Sequence, residues 1–296
     1  MVQTLQLKGP YNFELVLERM SLDPLHVVNQ QERSVRVPLI IEGQKHIAEV
    51  KGTGTTSNPF FEIRGTDEKG LEKLRNIFQW DINLENIHLH FQQTTLKSLF
   101  EDHYGTALVL DFDPYDTLLK CIIHQQLNLA FAHTLTERFV KTFGDEMDGV
   151  WFYPSPERVA SLTVDDLREL QFSGRKAEYV IGIADKVANG ELSFEKMKTQ
   201  SNEEIHDVLI KLRGVGPWTV QNFLMFGLGR QNLFPMADIG IQNALKGYFS
   251  LAEKPSKADM EEYIKDWEPY LSYASLYLWR SVENGVKTNH AKRTDS

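Results

Sequence analysis

Lys211–Phe249 reads KLRGVGPWTVQNFLMFGLGRQNLFPMADIGIQNALKGYF. Two apolar helical segments flank the tight turn Leu212-Arg213-Gly214-Val215-Gly216. Gly214 and Gly216 permit positive φ and bring bare backbone to the surface. Pro217 has no N–H to lose and suits the first turn of a helix. The turn is therefore expected to present free amide N–H groups at a helix N-terminus, a site for an anion such as phosphate. Further on, Phe234-Pro235-Met236-Ala237-Asp238 opens another helix with an acid at its start. Read alone, Asp238 is first of all an N-cap for Ile239–Phe249.

Upstream of the turn the pattern is helical. Ser201 with Glu204 is a capping box, and Ile205, Val208, Leu209 and Leu212 follow on one face. Asp113-Pro114 reads as an N-cap with Pro at N1, before Leu118, Leu119, Ile122 and Ile123. Ala132, Leu135 and Phe139 mark a second helix ended by Gly144. Ser155-Pro156, Thr163 with Asp166, and Ala177–Ala184 start or mark three more, the last closed by Asn189-Gly190. Downstream, Met260, Tyr263, Ile264 and Trp267 share a helical face, and Pro269 is expected to begin the last helix.

The first hundred residues differ. Thr4–Lys8, Ser34–Glu42, His46–Lys51 and Phe60–Arg64 are β-rich, with Gly or Asn-Pro breaks between them. Phe13–Met20 and Lys69–Phe78 have helical spacing. The expected fold is α+β: a small antiparallel α+β domain over 1–99, an all-α region over 100–286, and a polar, disordered tail over 287–296.

Composition sets bounds. With 296 residues the chain is long enough for two domains. One cysteine, Cys121, excludes an internal disulfide and any cysteine-ligated cluster, and fits a reducing compartment. No basic-then-apolar leader and no membrane-length apolar stretch is seen. The nine histidines show no ligand spacing, and no phosphate-loop or dinucleotide motif is present. A formal net charge of −9 means that any nucleic-acid contact must be local, through backbone amides and a few Lys or Arg.

The segment Leu212–Thr219 followed by Asp238 resembles the helix-hairpin-helix DNA glycosylases, the HhH-GPD superfamily, and within it the alkylation-repair branch. The resemblance runs to about Gly285, is strongest in the hairpin, the Asp238 segment and Trp267–Trp279, and is weak before about residue 100. It implies two helical lobes around a cleft, with the hairpin and Asp238 at the cleft. The implied activity is monofunctional: flipping out and hydrolysing alkylated purines of the 3-methyladenine type from damaged double-stranded DNA. Asp238 would then stabilise the positive charge that builds on the sugar as the glycosidic bond breaks.

The same resemblance assigns further roles. The Gly214 and Gly216 amides and the Thr219 hydroxyl would hold a DNA phosphate. The carbonyls of Ile210, Leu212 and Val215 would hold a structural monovalent cation, and no organic cofactor is implied. Gln126 would be the wedge that fills the gap left by the flipped base, supported by Gln125. Trp218 stands where bifunctional relatives carry a nucleophilic lysine; indole cannot form a Schiff base, so no strand cleavage is expected. Trp218, Tyr270 and Tyr273 would line the base pocket by stacking on a cationic base, although aromatics at helical spacing, Trp267 among them, also read as core. Asn222 and Ile239 depart from the tyrosines found in close relatives, which bears on substrate range. The expected state is a monomer in the cytoplasm, at the nucleoid in a bacterium. Two other readings stay open: a sister glycosylase for oxidised or deaminated bases, and a non-catalytic hairpin module with no use for Asp238.

Overall fold

The computed structural model describes the backbone of residues 2–291 and the side chains of residues 2–282. β1 (Val2–Gln6), β2 (Val27–Asn29), β3 (Ser34–Ile41), β4 (Gln44–Gly52) and β5 (Phe60–Arg64) form an antiparallel sheet in the order β1-β5-β4-β3-β2. Val35, Val37, Leu39 and Ile41 alternate inward along β3, and Ala48, Val50, Phe61 and Ile63 extend the same apolar face. Helix Phe13–Met20 packs on this face. Gly52 makes the approach possible, since a Cβ there would stand 2.6 Å from the Phe13 ring. The α+β class is as expected, and β2 is the strand that no sequence alternation announced.

Two apolar cores organise the chain. The first joins the sheet to helices Glu68–Phe78 and Leu84–Phe91 and to Ile241, Trp267, Tyr273 and Leu278 near the other end. The second holds Leu118, Ile122, Phe139, Val180, Leu209 and Phe223. The division expected at residue 99 thus marks a change of secondary structure and not of packing, because residues 1–99 share their core with residues 225–278. Arg280 ties the ends together, with Nη2 3.0 Å from Glu18 Oε2 and Nη1 donating to the Leu15 carbonyl at 3.3 Å. Helix Pro217–Phe226 belongs to both cores: Val220, Phe223 and Leu224 sit in the second, Met225 in the first.

Elsewhere the helices begin where caps predict. Asp113, Thr163, Ser201 and Asp238 each accept a bond from a backbone N–H in the first turn. Three differences are found. A hairpin of β6 (Asp145–Met147) and β7 (Val150–Phe152) interrupts the region expected to be all helix. Its turn is Asp148-Gly149, both at positive φ (47° and 79°), a pairing suited to a two-residue hairpin loop. Helices Leu84–Phe91, Lys97–Asp102 and Phe194–Met197 are present where the sequence reading places none. The last helix starts at Leu271, not Pro269, and continues to Ala291, so the tail expected to be disordered from 287 is helical that far; 292–296 lie outside the described residues. Among the described residues no helix is long and apolar enough to cross a membrane.

Candidate active site

The hairpin joins helix Asn202–Leu209 to helix Pro217–Phe226. Gly214 adopts φ +85°, and a Cβ there would fall 2.1 Å from the Tyr179 ring, so this glycine is required twice over. Gly216 differs from expectation: its φ is −112°, an ordinary extended value, and a Cβ would meet nothing within 4 Å. It is the N-cap of the second helix and has no side chain to satisfy that end. Among the described residues the Gly216 and Trp218 amides find no protein acceptor. That leaves open donors at the positive end of a helix, as the sequence implied.

Thr219 is a correction. It is 1% exposed, and its hydroxyl accepts a bond from Gln125 Nε2 at 2.8 Å. The hydroxyl therefore faces the interior and is not presented to a phosphate. Ile210 is the C-cap of the first hairpin helix, with Leu212 and Val215 in the turn. The Leu212 carbonyl already accepts from Val215 N–H at 3.1 Å and keeps one lone pair. Carbonyl oxygens at a helix C-terminus are the donor type a hard cation takes. No cluster of His, Cys, Asp or Glu suited to a metal ion exists among the described residues.

The Gln125-Gln126 turn lies directly across from the hairpin. Helix Pro114–His124 ends at Gln125, and Asn128 caps the next helix, Leu129–Phe143. Gln126 is exposed with φ 58°. Gln125 turns inward, donating to the Gly214 carbonyl at 2.8 Å as well as to Thr219. The pair thus divides, with the Gln126 side chain outward and the Gln125 side chain tied to the hairpin.

Asp238 caps helix Ile239–Tyr248 and is half-buried. Its Oδ1 accepts from the Ile241 amide at 3.0 Å and from Trp279 Nε1 at 3.0 Å. Its Oδ2 accepts from Trp218 Nε1 at 3.1 Å. All three partners are donors, which suits an ionised carboxylate, an acceptor only. Oδ2 retains a lone pair for a further donor such as water. Gly240 leaves room for the Trp279 bond to Oδ1: a Cβ there would lie 2.9 Å from Oδ1 and 3.1 Å from the Trp279 ring. Neither Trp279 nor Gly240 was picked out from sequence. The signal was available, since Trp279 closes the stretch Trp267–Trp279 and an Asp-x-Gly at a helix start leaves a gap beside the acid.

Beside Trp218 opens a cavity of about 290 Å³, walled by Trp218, Asn222 and Phe226 on one side and by Met20 and Leu22 on another. Arg19 lies over the Phe226 ring at 5.0 Å, and Phe226 packs against Trp279 with ring centres 6.0 Å apart. The deep wall is polar. Lys120 Nζ sits 2.9 Å from Asp23 Oδ2 and 3.1 Å from Asp111 Oδ1. Burial alone would raise the Asp23 carboxyl, but Lys120 holds it well below the usual range; burial alone would lower the Lys120 amine, but the two carboxylates hold it above. His124 and His133 also line this wall. Burial, reinforced by Lys120 and His133, pulls His124 down to about 3.

Tyr273 and Tyr270 are not brought here. Tyr273 is wholly buried in the first core, and Tyr270 packs edge-on against His90 with ring centres 5.3 Å apart. Tyr273 is therefore a core residue and not a pocket wall, and the aromatic brought to Asp238 alongside Trp218 is Trp279. Leu129, which lines the cavity, is 60% exposed, and Ile239, next to Asp238 in the chain, is 65% exposed.

A helical hairpin, a carboxylate twenty-odd residues on that is anchored to Trp218, and a cavity that Trp218 walls define a class, the helix-hairpin-helix base-excision proteins. The model of the HhH-GPD superfamily of base excision DNA repair proteins matches residues 119–269. The chain belongs to this family, whose substrate is DNA. The Bacillus subtilis protein YfjP, whose name assigns it provisionally to the DNA-3-methyladenine glycosylases, is 53% identical over 277 residues, covering 93% of this chain and 96% of that protein. A second Bacillus subtilis protein, named DNA-3-methyladenine glycosylase, is 35% identical over 71% of this chain and 72% of its own. The solved 3-methyladenine DNA-glycosylase of Archaeoglobus fulgidus has the same fold, with a TM-score of 0.82 at 24% identity over 94% of this chain and 97% of that one.

Proposed function

We propose that this protein is a monofunctional DNA glycosylase that removes alkylated purines of the 3-methyladenine type from duplex DNA, with Asp238 as its catalytic carboxylate. The reading rests on one observation above all: the Asp238 carboxylate, fixed by two indoles and a backbone amide, next to a purine-sized cavity that Trp218 walls. The names of the two Bacillus subtilis relatives agree with it.

The chemistry follows from these groups. As the C1′–N bond breaks, its electron pair leaves with the base, and an alkylated, cationic base departs neutral. Positive charge grows on the sugar, and the nearby carboxylate lowers its energy. Water adds to C1′ and sheds a proton, leaving an abasic site. The indole of Trp218 donates to Asp238 instead of attacking, and no amine stands in the first turn of helix Pro217–Phe226 to trap the sugar. The open amides of Gly214 and Gly216, joined by that of Trp218, grip a phosphate without reading sequence. The Ile210, Leu212 and Val215 carbonyls would hold a monovalent cation, which would supply charge to brace the hairpin turn. The protein acts as a monomer in the cytoplasm, at the nucleoid in a bacterium.

The polar wall of Lys120, Asp23 and Asp111 favours a second reading, a deaminated or oxidised base recognised by hydrogen bonds to its edge. Base release from duplexes carrying 3-methyladenine, hypoxanthine, ethenoadenine or 8-oxoguanine separates the two. A borohydride trap on the same duplexes is expected to give no covalent adduct. A strong adduct abolished by mutating one lysine would overturn the monofunctional assignment.

A further inference from the structure

Gln126 holds a φ of 58°, which a residue with a Cβ adopts only at a cost, and its side chain stands free of the surface. Two neighbours hold the turn in that shape. Lys176, in helix Gly174–Ala188, donates from Nζ to the Ile123 carbonyl at 2.6 Å and the Gln125 carbonyl at 3.1 Å. These carbonyls end helix Pro114–His124, where oxygens lack intrahelical donors and the helix dipole favours a cation. Partial burial draws the Lys176 amine below its usual range. Gln125 supplies the second tie, bonding through Nε2 to the Gly214 carbonyl and Thr219 hydroxyl of the hairpin. The chain segments that Lys176 and Gln125 connect lie some 50 and 90 residues apart in sequence.

We propose that Lys176 is the positioning residue of the wedge, and that the Lys176–Gln125 link makes seating of the hairpin on a phosphate and insertion of Gln126 into the base stack a single event. This rests on the glycosylase reading above. When a phosphate docks at the hairpin amides, the Gly214 peptide is fixed. Gln125 is fixed with it, and Lys176 holds the neighbouring carbonyls so that Gln126 points along the path of the departing base. Lys176 touches neither substrate nor Asp238.

The test uses the full chain carrying Lys176→Met, which keeps most of the aliphatic stem and loses the ammonium. Flipping is read from 2-aminopurine fluorescence beside an abasic analogue, excision from single-turnover base release, and backbone binding from the Kd for undamaged duplex. Flipping and excision are expected to fall about tenfold, the scale of a lost charge-assisted bond pair. Undamaged-duplex Kd should stay within about twofold, because the hairpin contacts are intact. Lys176→Arg should restore both rates. In a Gln126→Ala background, Lys176→Met should add nothing, since there is no wedge left to place. Additive loss in that background, or an equal loss of undamaged-duplex binding, would overturn the proposal. If Lys176→Met does not fold, Lys176→Gln replaces it in the comparison with Lys176→Arg, and equal flipping by the two sinks the idea. A wild-type protein that flips but releases no base would defeat the glycosylase reading while leaving the link to be judged by fluorescence.

Discussion

Replacing Trp279 by phenylalanine removes one N–H and little volume. Asp238 Oδ1 then keeps only the Ile241 amide. Excision is expected to fall about tenfold, the cost of one charge-assisted bond, with damaged-duplex Kd unchanged. Asp238→Asn goes further: the charge itself is lost, and single-turnover excision should drop on the order of a hundredfold or more while binding persists. Near wild-type excision by that variant would reduce Asp238 to a helix cap. Asp238, Trp218 and the Gln125–Gln126 pair were legible because a motif fixes their spacing. Trp279 was not, because an aromatic on an apolar helix reads as core until its N–H is seen to point at a carboxylate. Tyr273 shows the converse error: helical spacing places it on the Tyr270 face, but spacing does not say whether a face meets a cavity or a packed sheet. For Thr219 a hydroxyl in a first helical turn suggested an anion ligand, and only the inward turn of Gln125 shows where its oxygen points.

The hairpin separates two glycines that sequence treated alike. Gly214→Ala is expected to destabilise the fold and weaken all DNA binding, because φ +85° strains a Cβ that also meets the Tyr179 ring at 2.1 Å. Gly216→Ala should leave Tm within about 2 °C, as its backbone is ordinary and its surroundings open. It should still weaken damaged and undamaged duplex binding equally, because a methyl then stands where the phosphate approaches. A loss confined to one lesion would place Gly216 in the base pocket instead. The facing helices Pro114–His124 and Leu129–Phe143 make a prediction about acid. Burial, with the Lys120 charge, pulls His124 down to about 3, and burial pulls His133 and His26 down too. The folded state thus disfavours the proton that the unfolded chain accepts near pH 6.5. Stability from His124 is complete above that value and lost as pH falls toward 3, amounting to about 2 kcal/mol between about pH 7.5 and pH 5. Urea midpoints at the two pH values measure this, and His124→Gln should flatten the difference. An unchanged slope in that variant would assign the acid sensitivity to other groups.

The whole molecule depends on its two ends meeting. A fragment of residues 100–296 lacks the apolar side chains of residues 1–99 that share a core with Trp267, Tyr273 and Leu278, along with the Glu18 partner of Arg280. It is expected to be molten, binding hydrophobic dyes and losing near-ultraviolet dichroism, and to recover when residues 1–99 are supplied in trans. A fragment that melts cooperatively alone would show that the second core suffices. The sequence revealed the sheet and most helices because alternation and caps are local signals. It did not reveal the shared core, because nothing in the local pattern of residues 1–99 names the residues, some two hundred positions away, that complete that core. The β6–β7 hairpin was visible in Asp148-Gly149 but hidden by its three-residue strands. The order of the chain has a consequence during synthesis. The hairpin and Asp238 leave the ribosome before Trp279 and the helix that completes the first core. A product of stalled translation that ends before Trp279 carries the acid with only one of its two indole partners and with the first core unclosed, so unfinished copies are expected to be poorer folders and slower at the site than the full chain.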